Sequence, residues 1–249
     1  MTGVAELLWT LRERCGVDLR DYRADGLDGG LRRRMAETAS ADVAAYVARL
    51  GQDADEAERL LEAVLVQATS FFRDEAVFDA LRDVVAPALR RGSGPLRAWV
   101  IGCATGEEAW SLASVLHDVC GPAFSVLATD LSAAAVARAR EGSYPGRSIP
   151  DALRARVTFA RHDITGPRLA PSEAVVARFD LVLLRNVLIY FRTSLQERVI
   201  HRVAGVLPAG GALVLGPVER VPRSDARRFD PWPGLDEGAR VYRRIGETT

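Results

Sequence analysis

From residue 96 onward, short apolar runs alternate with helical segments, and no other property of the sequence narrows the fold as far. The runs occupy residues 96–102, 124–130, 157–161, 179–185 and 212–216, with helical segments between most of them. Strands alternating with helices imply a mostly parallel, doubly wound α/β sheet. A last run at 239–243 is a candidate antiparallel edge strand. The preceding stretch carries only helical spacing: Val4, Leu7, Leu8 and Leu11, then Leu27 and Leu31, then Val43, Val47 and Leu50, then Leu60, Leu61, Val64, Leu65 and Ala68. Glycines at 16, 26, 29, 30 and 51 punctuate these segments. Phe78, Leu81, Val85 and Leu89 mark a connecting helix that Arg91-Gly-Ser-Gly-Pro95 breaks. The expected layout is an all-helical N-terminal domain over 1–68, a linker and connecting helix over 69–94, and a sheet domain over 95–249.

Composition excludes several function classes. All 33 Lys+Arg residues are Arg, so Schiff-base and other lysine chemistry is impossible. The formal net charge is zero, which argues against whole-domain capture of nucleic acid or an anionic membrane. Cys15, Cys103 and Cys120 are scattered, as are His117, His162 and His201, so neither a disulfide framework nor a metal site is expected. The first residues lack the basic and apolar regions of a signal peptide, and no run reaches the roughly 20 apolar residues of a membrane span. A cytoplasmic protein without membrane insertion is expected.

The first strand runs into Gly102-Cys-Ala-Thr-Gly-Glu-Glu108, and a helical segment follows. Gly102 and Gly106 let backbone approach a ligand at the carboxyl edge of the sheet, where a helix N-terminus can receive a carboxylate. Neither GxGxxG nor GxxxxGK[ST] is present, which favours a ligand without phosphates over NAD or ATP. The second strand ends at Asp130, where a ribose diol would be held. Asp130 could instead cap the following helix, but Ser132 is placed to do that. Asp163, after the third run, sits where an adenine amino group could be accepted, or is a surface loop acid.

Four motifs then occur in order: Ala68-Thr-Ser-Phe-Phe-Arg-Asp74, Gly102-Cys-Ala-Thr-Gly-Glu-Glu108, Ala128-Thr-Asp130 and Leu184-Arg-Asn-Val-Leu-Ile-Tyr-Phe191. Together they resemble the CheR-type chemotaxis-receptor methyltransferases, protein-glutamate O-methyltransferases that use S-adenosyl-L-methionine (SAM) and release S-adenosyl-L-homocysteine. Asp21-Tyr22 and Leu31-Arg-Arg-Arg34 resemble that family's helical domain, and the likeness runs from about residue 5 to about 245. The resemblance implies a Rossmann-like class I methyltransferase domain behind a small all-α domain. It implies that Thr69 and Arg73 reach the site from the linker, that Gly102, Cys103 and Ala104 border the cofactor, and that Glu108 holds the methionine amino group. Asp130 and Leu131 would take the ribose side, Asp163 and Ile164 would border the adenine, and Arg185 and Asn186 would line the pocket. Tyr190, with Arg73, would face the reacting methyl group. A glutamate carboxylate is already ionised at neutral pH, so the reaction needs alignment and not a strong base. Arg73 and Tyr190 are therefore assigned to positioning the acceptor.

Three places depart from the family pattern. The connection from Arg140 to Val157 is too short for the inserted three-stranded subdomain, so tail-peptide docking of that kind is not expected. Gly216-Pro-Val-Glu219 replaces Gly-His-Ser-Glu, near the acceptor side. Gln67-Ala68 replaces a stretch where Asn or a β-branched residue is usual. The acceptor is expected to be an acidic protein, a receptor-like helix, with a small-molecule or peptide carboxylate, or a SAM-binding module without turnover, as alternatives. Arg32-Arg33-Arg34 is either a solvated helical face or a patch for an acidic partner.

Overall fold

The computed structural model describes residues 2–65, 68–90, 94–171 and 178–246; Gln67 and Arg91-Gly-Ser93 lie outside them. Four helices come first: α1 (Thr2–Cys15), α2 (Ala24–Glu37), α3 (Val43–Gln52) and α4 (Ala54–Val64). Side chains start two of them. Asp42 accepts from the Ala45 N–H, and Asp53 accepts from the N–H groups of Asp55 and Glu56. Leu7, Leu11, Tyr46, Leu50, Leu60 and Leu61 pack between the helices as one apolar core. The arginine run is split by its periodicity. Arg32 is exposed and pairs with Asp28, whereas Arg34 turns inward to an ion pair with Glu56, which is only 1% exposed. The Tyr46 hydroxyl donates to the same Glu56 at 2.6 Å. Arg34 thus belongs to the domain's interior, not to a solvated face.

The connecting segment is helical but irregular: α5 (Glu75–Ala80), a π-helical turn over Leu81–Val85, and α6 (Ala86–Leu89). The Ala86 N–H donates to Leu81 O, one residue beyond α spacing. Pro87 has no N–H with which to continue the ordinary ladder.

Next come β1 (Leu96–Ile101), α7 (Glu107–Cys120), β2 (Phe124–Asp130), α8 (Ala133–Glu141), a ribbon of β3 (Ser143–Tyr144) and β4 (Arg147–Ser148), and α9 (Asp151–Arg154). β5 (Val157–Arg161), β6 (Leu181–Leu184), α10 (Thr193–Val206), β7 (Ala212–Leu215), β8 (Phe229–Pro231) and β9 (Val241–Arg244) complete the domain. The main sheet has the order β5-β2-β1-β6-β7-β9-β8, parallel from β5 to β7. β6 and β7 are buried along their whole length, as expected of strands covered on both faces. The last strand, β9, is antiparallel to β7, but it is not at the edge, because β8 pairs outside it. Only three residues form β8, and Pro231 ends it, so no alternating apolar pattern advertises it. In the 140–157 connection the chain holds the two-stranded ribbon β3–β4 and no third strand. The Tyr144 hydroxyl donates to Thr105 O at 2.6 Å, and the Arg147 guanidinium lies 4.2 Å from the Phe71 ring centre, so the ribbon folds back onto the linker.

The helical domain meets the sheet domain through backbone atoms. The Arg23 N–H donates to Tyr190 O at 2.8 Å, and the Arg192 N–H donates to Asp21 O at 2.9 Å. Tyr22 packs edge-on against Phe191 with ring centres 4.9 Å apart. Asp21 pairs with Arg198 at 2.6 Å, and on another side Glu58 pairs with Arg161 at 3.1 Å. Among the described residues, no helix is long and apolar enough to cross a membrane.

Candidate active site

A cavity with about 1180 Å³ of empty space, its mouth included, opens at the carboxyl ends of β1, β2 and β6 and is roofed by the helical domain. The strand ends supply Ile101, Gly102, Ala104, Asp130, Leu131, Arg185 and Asn186. The helical domain supplies Tyr22, Arg23, Leu27, Val64 and Leu65, and the linker supplies Ala68, Thr69 and Arg73. Glu108, His162, Asp163, Ile164, Val187, Ile189, Tyr190 and Phe191 complete the wall. Twelve of the residues singled out from the sequence therefore share one cavity: Thr69, Arg73, Gly102, Ala104, Glu108, Asp130, Leu131, Asp163, Ile164, Arg185, Asn186 and Tyr190. Cys103 does not. Its side chain is 1% exposed in the core behind the turn, its N–H is bonded to Thr129 O, and burial pushes its thiol well up.

The turn after β1 can only be built with glycine at its head. Gly102 has φ +74°, and a Cβ there would meet a Val187 methyl at 2.4 Å. Beyond it the Ala104 N–H donates to Asp130 Oδ2 at 2.8 Å, and the Ser132 N–H donates to Oδ1 at 2.9 Å. The Ser132 hydroxyl caps α8, accepting from the Ala135 N–H at 2.9 Å, so Asp130 is not the helix cap. Burial pushes the Asp130 carboxyl up, while these backbone donors pull it back. Asp163 Oδ1 accepts from the Thr165 N–H at 2.8 Å and its hydroxyl at 2.7 Å, which fixes the carboxyl at the cavity wall. Tyr22 faces Asp163 and Asp130, and its phenol is pushed up by burial first and then by these two acids.

A four-residue charge cluster joins the linker to the sheet. The Arg185 side chain is fully buried and donates to Glu108 Oε2 at 3.0 Å, to Asp74 Oδ2 at 2.6 Å and to Arg73 O at 3.0 Å. Burial pushes the Glu108 carboxyl up, against the pull of Arg185 and Arg73. Asp74 sits in left-handed backbone at φ 61°, Phe72 at φ 52°, and Asn186 opposite them at φ 59°. Arg73 itself donates to Ala68 O at 2.8 Å and pairs with no carboxylate among the described residues. Tyr190 is half-buried; burial pushes its phenol up, Arg73 pulls it down and Glu219 pushes it up.

Sequence reasoning passed over Asp74 and Glu219, although both stand inside quoted motifs. Glu219 is 4% exposed and accepts three backbone N–H groups, from Gly216, Asn186 and Ile189. Tyr22 was noted only as part of a resemblance, and His162 not as a wall residue at all. No local signal marks these roles, because each depends on a partner brought close by the fold.

The donor set suits a ligand with cationic and nucleoside parts. Three carboxylates, Glu108, Asp130 and Asp163, face the cavity beside apolar Leu131 and Ile164. The buried Arg185 charge is already matched by Asp74 and Glu108. A polyphosphate would meet these acids, whereas an amino group, a diol and an adenine would each find an acceptor.

Residues 67–152 and 145–234 match the profile described as "CheR methyltransferase, SAM binding domain", and residues 3–65 match "CheR methyltransferase, all-alpha domain". Among curated relatives, the "Probable biofilm formation methyltransferase WspC" of Pseudomonas putida is 33% identical over 84% of this chain and 54% of its own length. The "Uncharacterized 104.1 kDa protein in hypE 3'region" of Rhodobacter capsulatus is 31% identical over 90% of this chain and 26% of its own. The "Chemotaxis protein methyltransferase" of Listeria monocytogenes is 28% identical over 83% of this chain and 85% of its own. The chain thus spans about half or less of the first two relatives and most of the third.

Proposed function

The chain belongs to the CheR methyltransferase family, and on that premise we propose that it methylates a glutamyl carboxylate on a chemoreceptor or related signalling protein. The observation that carries this reading is Arg73. It lies on the wall of the cavity that Glu108, Asp130 and Tyr190 also line, and among the described residues its guanidinium hydrogen-bonds a carbonyl and no carboxylate. A guanidinium bonded to a carbonyl beside a phenol is suited to grip an incoming carboxylate through its planar fork.

In this reading Glu108 holds the amino group of SAM, Asp130 the ribose, and Asp163 with Ile164 the adenine. Bound SAM supplies an electrophilic methyl group on a sulfonium. The protein's part is to hold the acceptor in line and exclude water. Arg73 orients the carboxylate, and the Tyr190 hydroxyl donates to one of its oxygens so that the other is free to attack. Neither residue accepts a proton, and a grip tighter than alignment requires would stabilise the ground state and slow the reaction. The working units are the helical domain over 1–68, the linker and connecting helix over 69–94, and the methyltransferase domain over 95–249. Action in the cytoplasm on an acidic receptor helix follows from the same reading.

A second reading, a peptide or small-molecule carboxylate as acceptor, draws on two observations. The β3–β4 ribbon packs onto Phe71 of the linker through the Tyr144 ring and Arg147, and Pro217 stiffens the loop after β7. Neither offers the sheet that would dock a receptor tail. The test is calorimetric titration with S-adenosyl-L-homocysteine, followed by a labelled-methyl assay on membrane and soluble fractions of the host. Base-labile label on a receptor-sized protein is the expected result. Label confined to small molecules would transfer the assignment to the second reading, and absence of binding would end both.

A further inference from the structure

We propose that Glu219 is a positioning residue of the active site, holding the loop that presents both Asn186 and Tyr190. The inference rests on the methyltransferase reading for its purpose, but its structural content stands by itself. Glu219 follows β7, whereas the loop it holds follows β6. Its Oε2 accepts from the Gly216 N–H at 2.7 Å and from the Asn186 N–H at 2.8 Å, and its Oε1 accepts from the Ile189 N–H at 3.3 Å. One carboxylate thus bonds both ends of the segment between Asn186 and Ile189. Asn186 stands in left-handed backbone at φ 59°, a region that asparagine tolerates better than most non-glycine residues, and the carboxylate fixes its N–H there. Tyr190 immediately follows the second anchor.

The neighbouring glycine makes room for this arrangement. A Cβ at Gly216 would lie 2.7 Å from Glu219 Oε2 and 2.9 Å from Asn186 N. At 4% exposure the carboxylate has little access to water, so the three backbone donors are its solvation, and it is theirs. Its charge also reaches the chemistry, since Glu219 pushes up both the Glu108 carboxyl and the Tyr190 phenol. Of the residues in Gly216-Pro-Val-Glu219, the first and last are bound together into the site, whereas Val218 is 72% exposed.

Glu219→Ala and Glu219→Gln decide the matter when compared with the unaltered protein by amide hydrogen exchange, by S-adenosyl-L-homocysteine affinity, and by titration of ¹³C-labelled tyrosine with Tyr190→Phe to identify the signal. In the alanine variant, exchange at Asn186 and Ile189 should accelerate about tenfold or more, and affinity should fall by a similar factor. The glutamine variant keeps an acceptor for Gly216 and Asn186 but turns an N–H toward Ile189. It should retain protection at Asn186, lose it at Ile189, and shift the Tyr190 titration to lower pH. Unchanged exchange at both amides, or glutamine and alanine variants that behave alike, would overturn the proposal. If alanine prevents folding, the residue-by-residue pattern in the glutamine variant decides. If the unaltered protein binds no S-adenosyl-L-homocysteine, the cofactor reading fails, while the exchange and titration patterns still decide the role of Glu219.

Discussion

Replacing Arg185 with Met would remove one charge from the centre of the molecule and keep most of its apolar bulk. The Arg185 side chain is fully buried, Glu108 is 12% exposed and Asp74 39% exposed. The two carboxylates therefore do not count equally. Asp74 can be rehydrated, and loss of its pair costs less than about 1 kcal/mol. Glu108 cannot, and stripping a buried carboxylate of its cation costs about 3–5 kcal/mol. For a domain of this size the melting temperature should fall by about 6–20 °C.

The cost should also depend on pH with a defined sign. Burial already holds the Glu108 carboxyl above its ordinary value, and loss of Arg185 raises it further. A raised folded pKa means that the native state binds more protons than the unfolded state, so stability falls as pH rises from about 4.3 through the folded value. Below that window Glu108 is neutral in both states and the penalty disappears. Urea denaturation at pH 7.5 and at pH 4, followed by near-ultraviolet circular dichroism, reads the difference between Arg185→Met and the parent. A deficit under about 1 kcal/mol at pH 7.5, or one equal at both pH values, would refute the claim that Arg185 offsets the burial of the Glu108 carboxylate.

Other substitutions separate binding from turnover. Arg73→Ala should leave S-adenosyl-L-homocysteine affinity within a few fold by calorimetry and abolish most methyl transfer; surviving turnover would remove the residue from acceptor alignment. Asp130→Ala should act in the opposite order, weakening that affinity by about 1–3 kcal/mol before any effect on acceptor use. In the helical domain, burial raises the Glu56 carboxyl, but hydrogen bonds from Arg34 and Tyr46 outweigh it and hold the group below its ordinary value. That contribution is present above the unfolded pKa and is lost as pH falls through the folded one. Glu56→Gln should therefore flatten the acid limb of a stability-versus-pH curve, and an unchanged acid limb would contradict this assignment.

The parallel core of the sheet was legible because β1, β2, β5, β6 and β7 are apolar runs separated by helical spacing. Nine of the twelve cavity residues are legible because they fall within motifs at strand ends and in the linker, and Leu131, Asp163 and Ile164 because they follow the second and third strands. Part of what escaped depends on pairs distant in sequence, and part on local geometry that apolar spacing does not encode. The motifs make Arg185 a pocket wall and Glu108 a ligand for an amino group; the fold also bonds the two to each other, and Arg185 to Asp74. The resemblance puts Cys103 beside the cofactor, whereas the turn leaves its side chain buried in the core. β8 is too short to show an alternating pattern, and its presence outside β9 moved the sheet's edge. The π-helical turn at Leu81–Val85 lies within a stretch whose apolar spacing is simply helical.

The seam between Asp21–Arg23 and the Tyr190 loop is tied by peptide groups as well as side chains, and this bears on how such a protein can change over generations. Main-chain hydrogen bonds depend little on side-chain identity, so at 23 and 192 they tolerate any residue but proline. The two halves are nevertheless not freely interchangeable parts. The Tyr190 loop finds two of its backbone partners about 170 residues earlier in the chain. Recombination that grafted this methyltransferase half onto an unrelated leader would leave the loop's edge unpaired at Tyr190, on the cavity wall. The helical domain is thus inherited with the site as part of its wall, and acceptor preference is free to diverge only on surfaces that leave that seam in place.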